Sequence, residues 1–138
     1  MRDRLLFKLL VLRAWLIFLR IDVGFRRHSF EHVLQWVSRE NLKISMGEAL
    51  RKPEDFFEAV KIATAFYYRK RRDCLPKALT TFYLLRRSGQ DAELLIGARQ
   101  FPFEAHAWVH CNGTVLDDFP GRVEDYTILH RVEAIGHP

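Results

Sequence analysis

Residues 84–99 read Leu84-Leu85-Arg86-Arg87-Ser88-Gly89-Gln90-Asp91-Ala92-Glu93-Leu94-Leu95-Ile96-Gly97-Ala98-Arg99, and the hydrophobic period changes inside them. Up to Arg87 the apolar residues recur at helical spacing, and after Gly89 they follow a period of two. Ser88-Gly89 supplies the stop, because a glycine just past a helix takes the left-handed conformation that closes it. Helices before this point and strands after it predict an α+β chain, with N-terminal helices followed by an antiparallel sheet.

Downstream, Ala92 to Arg99 is expected as one strand and Ala105 to Cys111 as a second. Asn112-Gly113 is a strong hairpin signal, since both residues tolerate positive φ. Thr114 to Asp118 is the returning strand, and Tyr126 to Arg131 a short edge strand or turn. Upstream, Asp73 caps a helix that begins at Cys74 and runs to Arg87, with Pro76 in the first turn where its missing N–H costs nothing. Residues 54–70 carry Phe56, Phe57, Val60, Ile62, Ala63, Phe66 and Tyr67 at helical spacing, which predicts core rather than a ligand box. Ser45 and Glu48 form a capping box for a short helix ending at Arg51. Ser29 N-caps 30–39, and 3–20 is an apolar-rich helix that the Asp22-Val23-Gly24 step ends.

The chain has 138 residues, enough for one domain over 1–138 that buries about two-thirds of its unfolded surface. Within it, 1–70 is the helical part and 71–138 carries the cysteine helix and the strands. Net charge is +5, which permits an acidic peptide partner and demands none. No recognition-helix, zinc-finger or RNP pattern accompanies the charge, so no nucleic-acid partner is expected. Two cysteines are too few for a disulfide scaffold and fit a reducing, cytoplasmic setting. CxxC, HExxH, GxGxxG and Walker A patterns are absent, so neither metal nor cofactor is expected. His28 and His32 are four apart without a third ligand nearby, the pattern of a solvated helix face. Lys8, Arg13 and Arg20 interrupt the N-terminal apolar run before it reaches the roughly 18–20 residues of a membrane span. That helix is expected to pack on the body of the domain or on a partner protein, rather than on a membrane.

The chemistry-bearing residues fall in the order Cys74, His106, Asp118. A buried structural thiol is the plain reading of Cys74. Against it stand the predicted helix N-terminus, which favours an anion, and the basic run Arg69 to Arg72 just upstream. On a period-two strand His106, Trp108 and His110 share one face, while Ala105, Ala107, Val109 and Cys111 share the other. The small residues suit close packing, so the His106 face is the one to look into a cleft. His110 is the alternative base, and Cys111 is read as inert packing. A two-residue hairpin pairs Cys111 with Thr114 and His110 with Val115, which sets Asp117 opposite Trp108 and Asp118 opposite Ala107. Asp118 is then within reach of His106, Asp117 is its rival, and a register slip would exchange them.

In the blocks Cys74-Leu75-Pro76-Lys77-Ala78-Leu79, Leu84 to Gly89, Glu93 to Ala98, Phe103-Glu104-Ala105-His106-Ala107-Trp108-Val109 and Gly113 to Asp118, the chain resembles the transglutaminase-like cysteine peptidases of lasso peptide biosynthesis, the B or B2 proteins of the microcin J25-processing type. The resemblance covers 70–130. It implies a papain/transglutaminase-like fold, with Cys74, His106 and, as the second of the aspartate pair, Asp118 as catalytic residues. It also implies removal of the leader from a ribosomally made precursor peptide through a thioester. The implied partners are that precursor, a small leader-recognition (B1-type) protein and an asparagine-synthetase-like lasso cyclase. Two other readings keep the same residues: acyl transfer to an amine, as in transglutaminases, and a non-catalytic peptide-binding module.

Overall fold

The computed structural model describes residues 2–38, 52–66, 74–117 and 120–132. Four helices, α1 (Arg2–Arg27), α2 (Phe30–Ser38), α3 (Pro53–Ala65) and α4 (Cys74–Arg87), precede a sheet of β1 (Ala92–Gln100), β2 (Phe103–Cys111), β3 (Thr114–Leu116) and β4 (Thr127–Val132). A 3-10 turn, Pro120–Asp125, links the last two strands. The strand order is β3-β2-β1-β4, antiparallel throughout. This is the α+β layering that the change of period predicts.

Helix α4 is central. Nine of its 14 residues are buried, because α1, α2 and α3 pack on one side of it and the sheet on the other. Its buried hydroxyls are satisfied locally: Thr80 Oγ1 donates to the Pro76 carbonyl at 2.7 Å and Thr81 Oγ1 to that of Lys77 at 2.9 Å. Its end is the one expected. Gly89 has φ 85°, the Gln90 N–H reaches the Leu85 carbonyl and the Gly89 N–H that of Arg86, which satisfies carbonyls the last turn would otherwise orphan. Phe82, Leu79, Leu84 and Leu85 are fully buried, and truncating any one of them would cost about 2–5 kcal/mol.

Two expectations are corrected here. Helix α1 does not stop at Asp22-Val23-Gly24 but continues to Arg27. Asp22 is buried within it and pairs with Arg26 one turn on, at 2.9 Å, so a residue read as a breaker is an i, i+4 ion-pair partner. Gly24 is needed for a different reason, since a Cβ there would sit 3.2 Å from Val33 of α2. Ser29 then caps α2, its Oγ accepting the His32 N–H at 3.3 Å. In α3 the buried residues are Phe56, Ala59, Val60 and Ala63; Phe66, read as core, lies past the helix end and is 77% exposed. The Ser45 helix, Tyr67 to Lys70, the basic run to Arg72 and the Asp73 cap lie outside the described residues.

The sheet has two unlike faces. Ala92, Leu94, Ala107, Val109 and Cys111 join the main core with the helices. On the reverse, Leu95, Trp108 and Tyr126 form a small second cluster. Gly97 lets that cluster close, because a Cβ there would meet the Thr127 carbonyl at 2.9 Å and Trp108 at 3.0 Å. The hairpin register is the expected one, Cys111 opposite Thr114, His110 opposite Val115 and Val109 opposite Leu116. Asn112 and Gly113 both take positive φ, 52° and 80°.

Candidate active site

Strand β3 pairs with β2 for only three positions and stops at Leu116. The edge of β2 beyond Val109 therefore has no β3 neighbour, and the first residue of α4 occupies it: Cys74 Sγ accepts the Ala107 N–H at 3.3 Å. Asp117, the residue at which β3 has ended, turns its carboxylate to the imidazole, and His106 Nε2 donates to Asp117 Oδ1 at 2.7 Å. Nε2 being committed to Asp117, Nδ1 is the nitrogen available to the Cys74 thiol, with which the ring hydrogen-bonds. The structure thus joins Cys74, His106 and Asp117. Asp118 lies outside the described residues.

The electrostatics follow from these contacts. The bond to the Asp117 carboxylate is the chief cause that holds the His106 pKa up at about 9, from an ordinary 6.5, with the Cys74 bond and the charges of both groups adding to it against burial. For Cys74 burial pulls upward, but the His106 hydrogen bond, the Ala107 N–H, the imidazolium charge and its own backbone N–H together bring the thiol below its ordinary 9.0. The two shifts have opposite signs and favour one state, thiolate beside imidazolium.

The ring is also held mechanically. His106 stacks on Trp108 at 5.8 Å between centroids and packs on Tyr126 at 5.5 Å. Tyr126 hydrogen-bonds Glu104, whose carboxylate takes the Arg99 guanidinium at 2.6 Å and that of Arg122 at 3.3 Å. Desolvation opposes ionisation of Glu104, and the Arg99 charge with these bonds overrides it and sets the carboxyl below its ordinary value. Around the pair opens a cleft of about 540 Å³, lined on the helix side by Cys74, Lys77, Ala78 and Thr81. That is one face of α4 at i, i+3, i+4 and i+7.

The remaining candidates are elsewhere. His110 accepts the Trp108 indole N–H at 3.1 Å, and burial lowers its pKa; it does not line the cleft. Cys111 is buried beside Gln90, and burial, with the charges of Asp91 and Glu54, pushes its thiol up to about 11. His28 and His32 stack on each other at 4.3 Å. Among the described residues no group of three or more His, Cys, Asp or Glu could hold a metal ion.

Sequence reasoning ranked Asp117 second, although a parity signal was present. Directly opposed residues of two strands point to the same face. Asp117, opposite Trp108, therefore shares the His106 face, and the residue opposite Ala107 does not. Phe57, read as core, lines the cleft with Glu104, Arg122 and Tyr126; nothing in their spacing announces that.

A helix-borne thiol, a strand-borne imidazole and a carboxylate one hairpin later define a papain-like or transglutaminase-like arrangement. The family comparison agrees: the model of the transglutaminase-like superfamily matches residues 10–131, and the chain belongs to that superfamily. Among curated proteins it is similar to the microcin J25-processing protein McjB of Escherichia coli, 32% identical over 60 residues. That match covers 44% of this chain and 29% of McjB. No solved structure matches the chain. Among the described residues no helix is long and apolar enough to cross a membrane.

Proposed function

We propose that this protein is a cysteine peptidase that removes the leader from a ribosomally made precursor peptide of the lasso type. The observation that supports this reading is the imidazole of His106, held by Asp117 on one nitrogen and hydrogen-bonded to the Cys74 thiol. The Cys74 thiolate attacks the carbonyl carbon at the leader–core junction. Backbone N–H groups at the start of α4 receive the developing oxyanion. The His106 imidazolium gives its proton to the departing amine, the C–N bond breaks, and a thioester to Cys74 remains. His106, now neutral, takes a proton from water; the hydroxide cleaves the thioester and restores thiolate and imidazolium. Asp117 fixes the ring and stabilises its charged form throughout.

The likeness to a microcin J25-processing protein supports a precursor peptide as substrate. A leader-recognition protein and an asparagine-synthetase-like cyclase complete the proposed cytoplasmic pathway. The test is intact-mass analysis of a cognate precursor incubated with the recognition protein and either wild type or Cys74→Ala. The expected result is a leader fragment and a core whose masses sum to the precursor plus one water, with wild type alone. Cleavage by Cys74→Ala would overturn the mechanism, and a product carrying an added amine in place of water would mark acyl transfer instead.

A further inference from the structure

Helix α1 is apolar on two faces, and only one of them is used by the fold. Leu10, Ala14, Phe18 and Ile21 are at most 3% exposed, facing the core. Leu5, Leu9, Leu12, Leu16, Leu19 and Val23 form a second stripe with alternating steps of four and three residues. Leu5, Leu9, Leu12 and Leu16 are between 51% and 61% exposed. A helix apolar all round is ordinarily buried, and a strict four-three stripe is the narrow seam of a coiled coil.

The flanks of this seam are of one sign. Written as a heptad with Leu9 at a and Leu12 at d, the e and g positions include Lys8, Arg13, Arg20 and Arg27. Asp22 is the one carboxylate among the described side chains of α1, and it is buried against Arg26. At its C-terminal end the seam opens into a cleft of about 260 Å³ between α1 and α2, rimmed by Arg20, Arg27, His28 and His32 over Val33 and Trp36, with no acidic lining. It shares no residue with the Cys74 cleft. A second copy would set basic flank against basic flank, which opposes pairing. A lipid surface is the other habit of basic amphipathic helices, but those carry broad faces with interfacial aromatic residues. Here the exposed apolar side chains, the seam with Leu6 beside it, are all aliphatic, and no aromatic ring of α1 is among the exposed large hydrophobic side chains.

We infer that α1 is a docking face for an amphipathic helix of a partner protein, with aliphatic residues on the seam and carboxylates on the flanks. The partner's acidic C-terminal or N-terminal turn would lie in the cleft beside Arg20 and Arg27. This does not depend on the thiol chemistry.

The test uses the full chain and two labelled synthetic heptad peptides, both with Leu at a and d, one with Glu and the other with Lys at e and g. Fluorescence anisotropy should show the Glu peptide binding about tenfold or more tighter, the margin shrinking as salt rises. Leu9→Glu with Leu16→Glu should lose that binding while far-ultraviolet circular dichroism and Cys74 alkylation stay unchanged. Lys8→Glu with Arg27→Glu should reverse the preference toward the Lys peptide. Equal binding of the two peptides, or binding of neither, overturns the proposal. So does Leu9- and Leu16-dependent uptake onto phosphatidylglycerol vesicles with the peptides ignored, which would make α1 a membrane face. A Leu-dependent dimer in sedimentation, with the peptides ignored, would make it a self-interface and overturns it as well.

Discussion

The two thiols of this chain report on opposite ends of one strand pair. Cys111 sits beside the hairpin, where β3 pairs with β2 in full register and the core closes over both. Cys74 enters where β3 has stopped and the β2 edge offers an unpaired N–H and an imidazole. Burial raises both thiols; only at Cys74 do the His106 hydrogen bond and charge, with the Ala107 and Cys74 backbone N–H groups, together outweigh it. The difference lies in the environment, and it teaches that ending a strand early builds a site. A sheet edge is normally a liability to be covered, and here the first residue of the central helix covers it with a thiol.

The largest effect expected of this contrast is in alkylation. At pH 7 a thiol held at about 11 is ionised to roughly one part in 10⁴, so Cys111 should stay unmodified by iodoacetamide while the chain is folded. Cys74 should react, with a rate midpoint below pH 9.0. Peptide mapping after timed quenching reads both sites, and comparable rates at the two would remove the contrast.

Next in size is the carboxylate. Asp117→Asn keeps the shape and removes the charge that holds the imidazolium, and loss of such an orienting carboxylate costs on the order of 10³–10⁴ in turnover. Asp118→Asn, made in parallel, should leave precursor cleavage within a few-fold of wild type. The reverse outcome would return the role to Asp118 and with it the reading from resemblance.

That pair of variants marks the limit of legibility. The register was readable because Asn112-Gly113 can make a two-residue turn that leaves few alternatives, and the face alternation of β2 followed from it. Parity then favoured Asp117, but a run such as Leu116-Asp117-Asp118 does not say where pairing ends, and the resemblance favoured its second aspartate. Helix α4 was readable from Cys74 to Arg87 because the helical period and the Gly89 stop agree. The course of α1 was not, since whether Asp22 breaks a helix or pairs with Arg26 depends on what packs over it. That Tyr126 and Glu104 stand behind His106 is a tertiary fact, set by β4 returning to pair with β1, and no local pattern encodes it.

A smaller effect separates the groups by pH. The folded pKa of His106 is raised, so its contribution to stability is complete below pH 6.5 and is lost as pH climbs through about 9. The lowered Cys74 thiol contributes with the opposite sign, present above 9.0 and lost as pH falls through its folded value. Cys74→Ala removes that opposing slope. In this background the Asp117 bond is left to hold the imidazole up, and Tm should decline as pH rises above 6.5 by more than in Cys74→Ala with Asp117→Asn. Parallel curves would mean that Asp117 does not hold the proton.

The smallest effect is expected at the other end of the strand pair, and it bears most directly on the comparison. Cys111→Ala removes a fully buried sulfur that makes a 3.8 Å contact with Gln90. The loss of one small core atom costs about 1 kcal/mol, visible as a lower urea midpoint at unchanged slope. The proposed precursor cleavage should not change in the folded fraction, because neither the Ala107 N–H nor the His106 ring touches this end of β2. A fall in turnover out of proportion to the fraction unfolded would show the two ends to be mechanically linked. The early end of β3 would then be a feature of the whole hairpin rather than of the edge at Ala107.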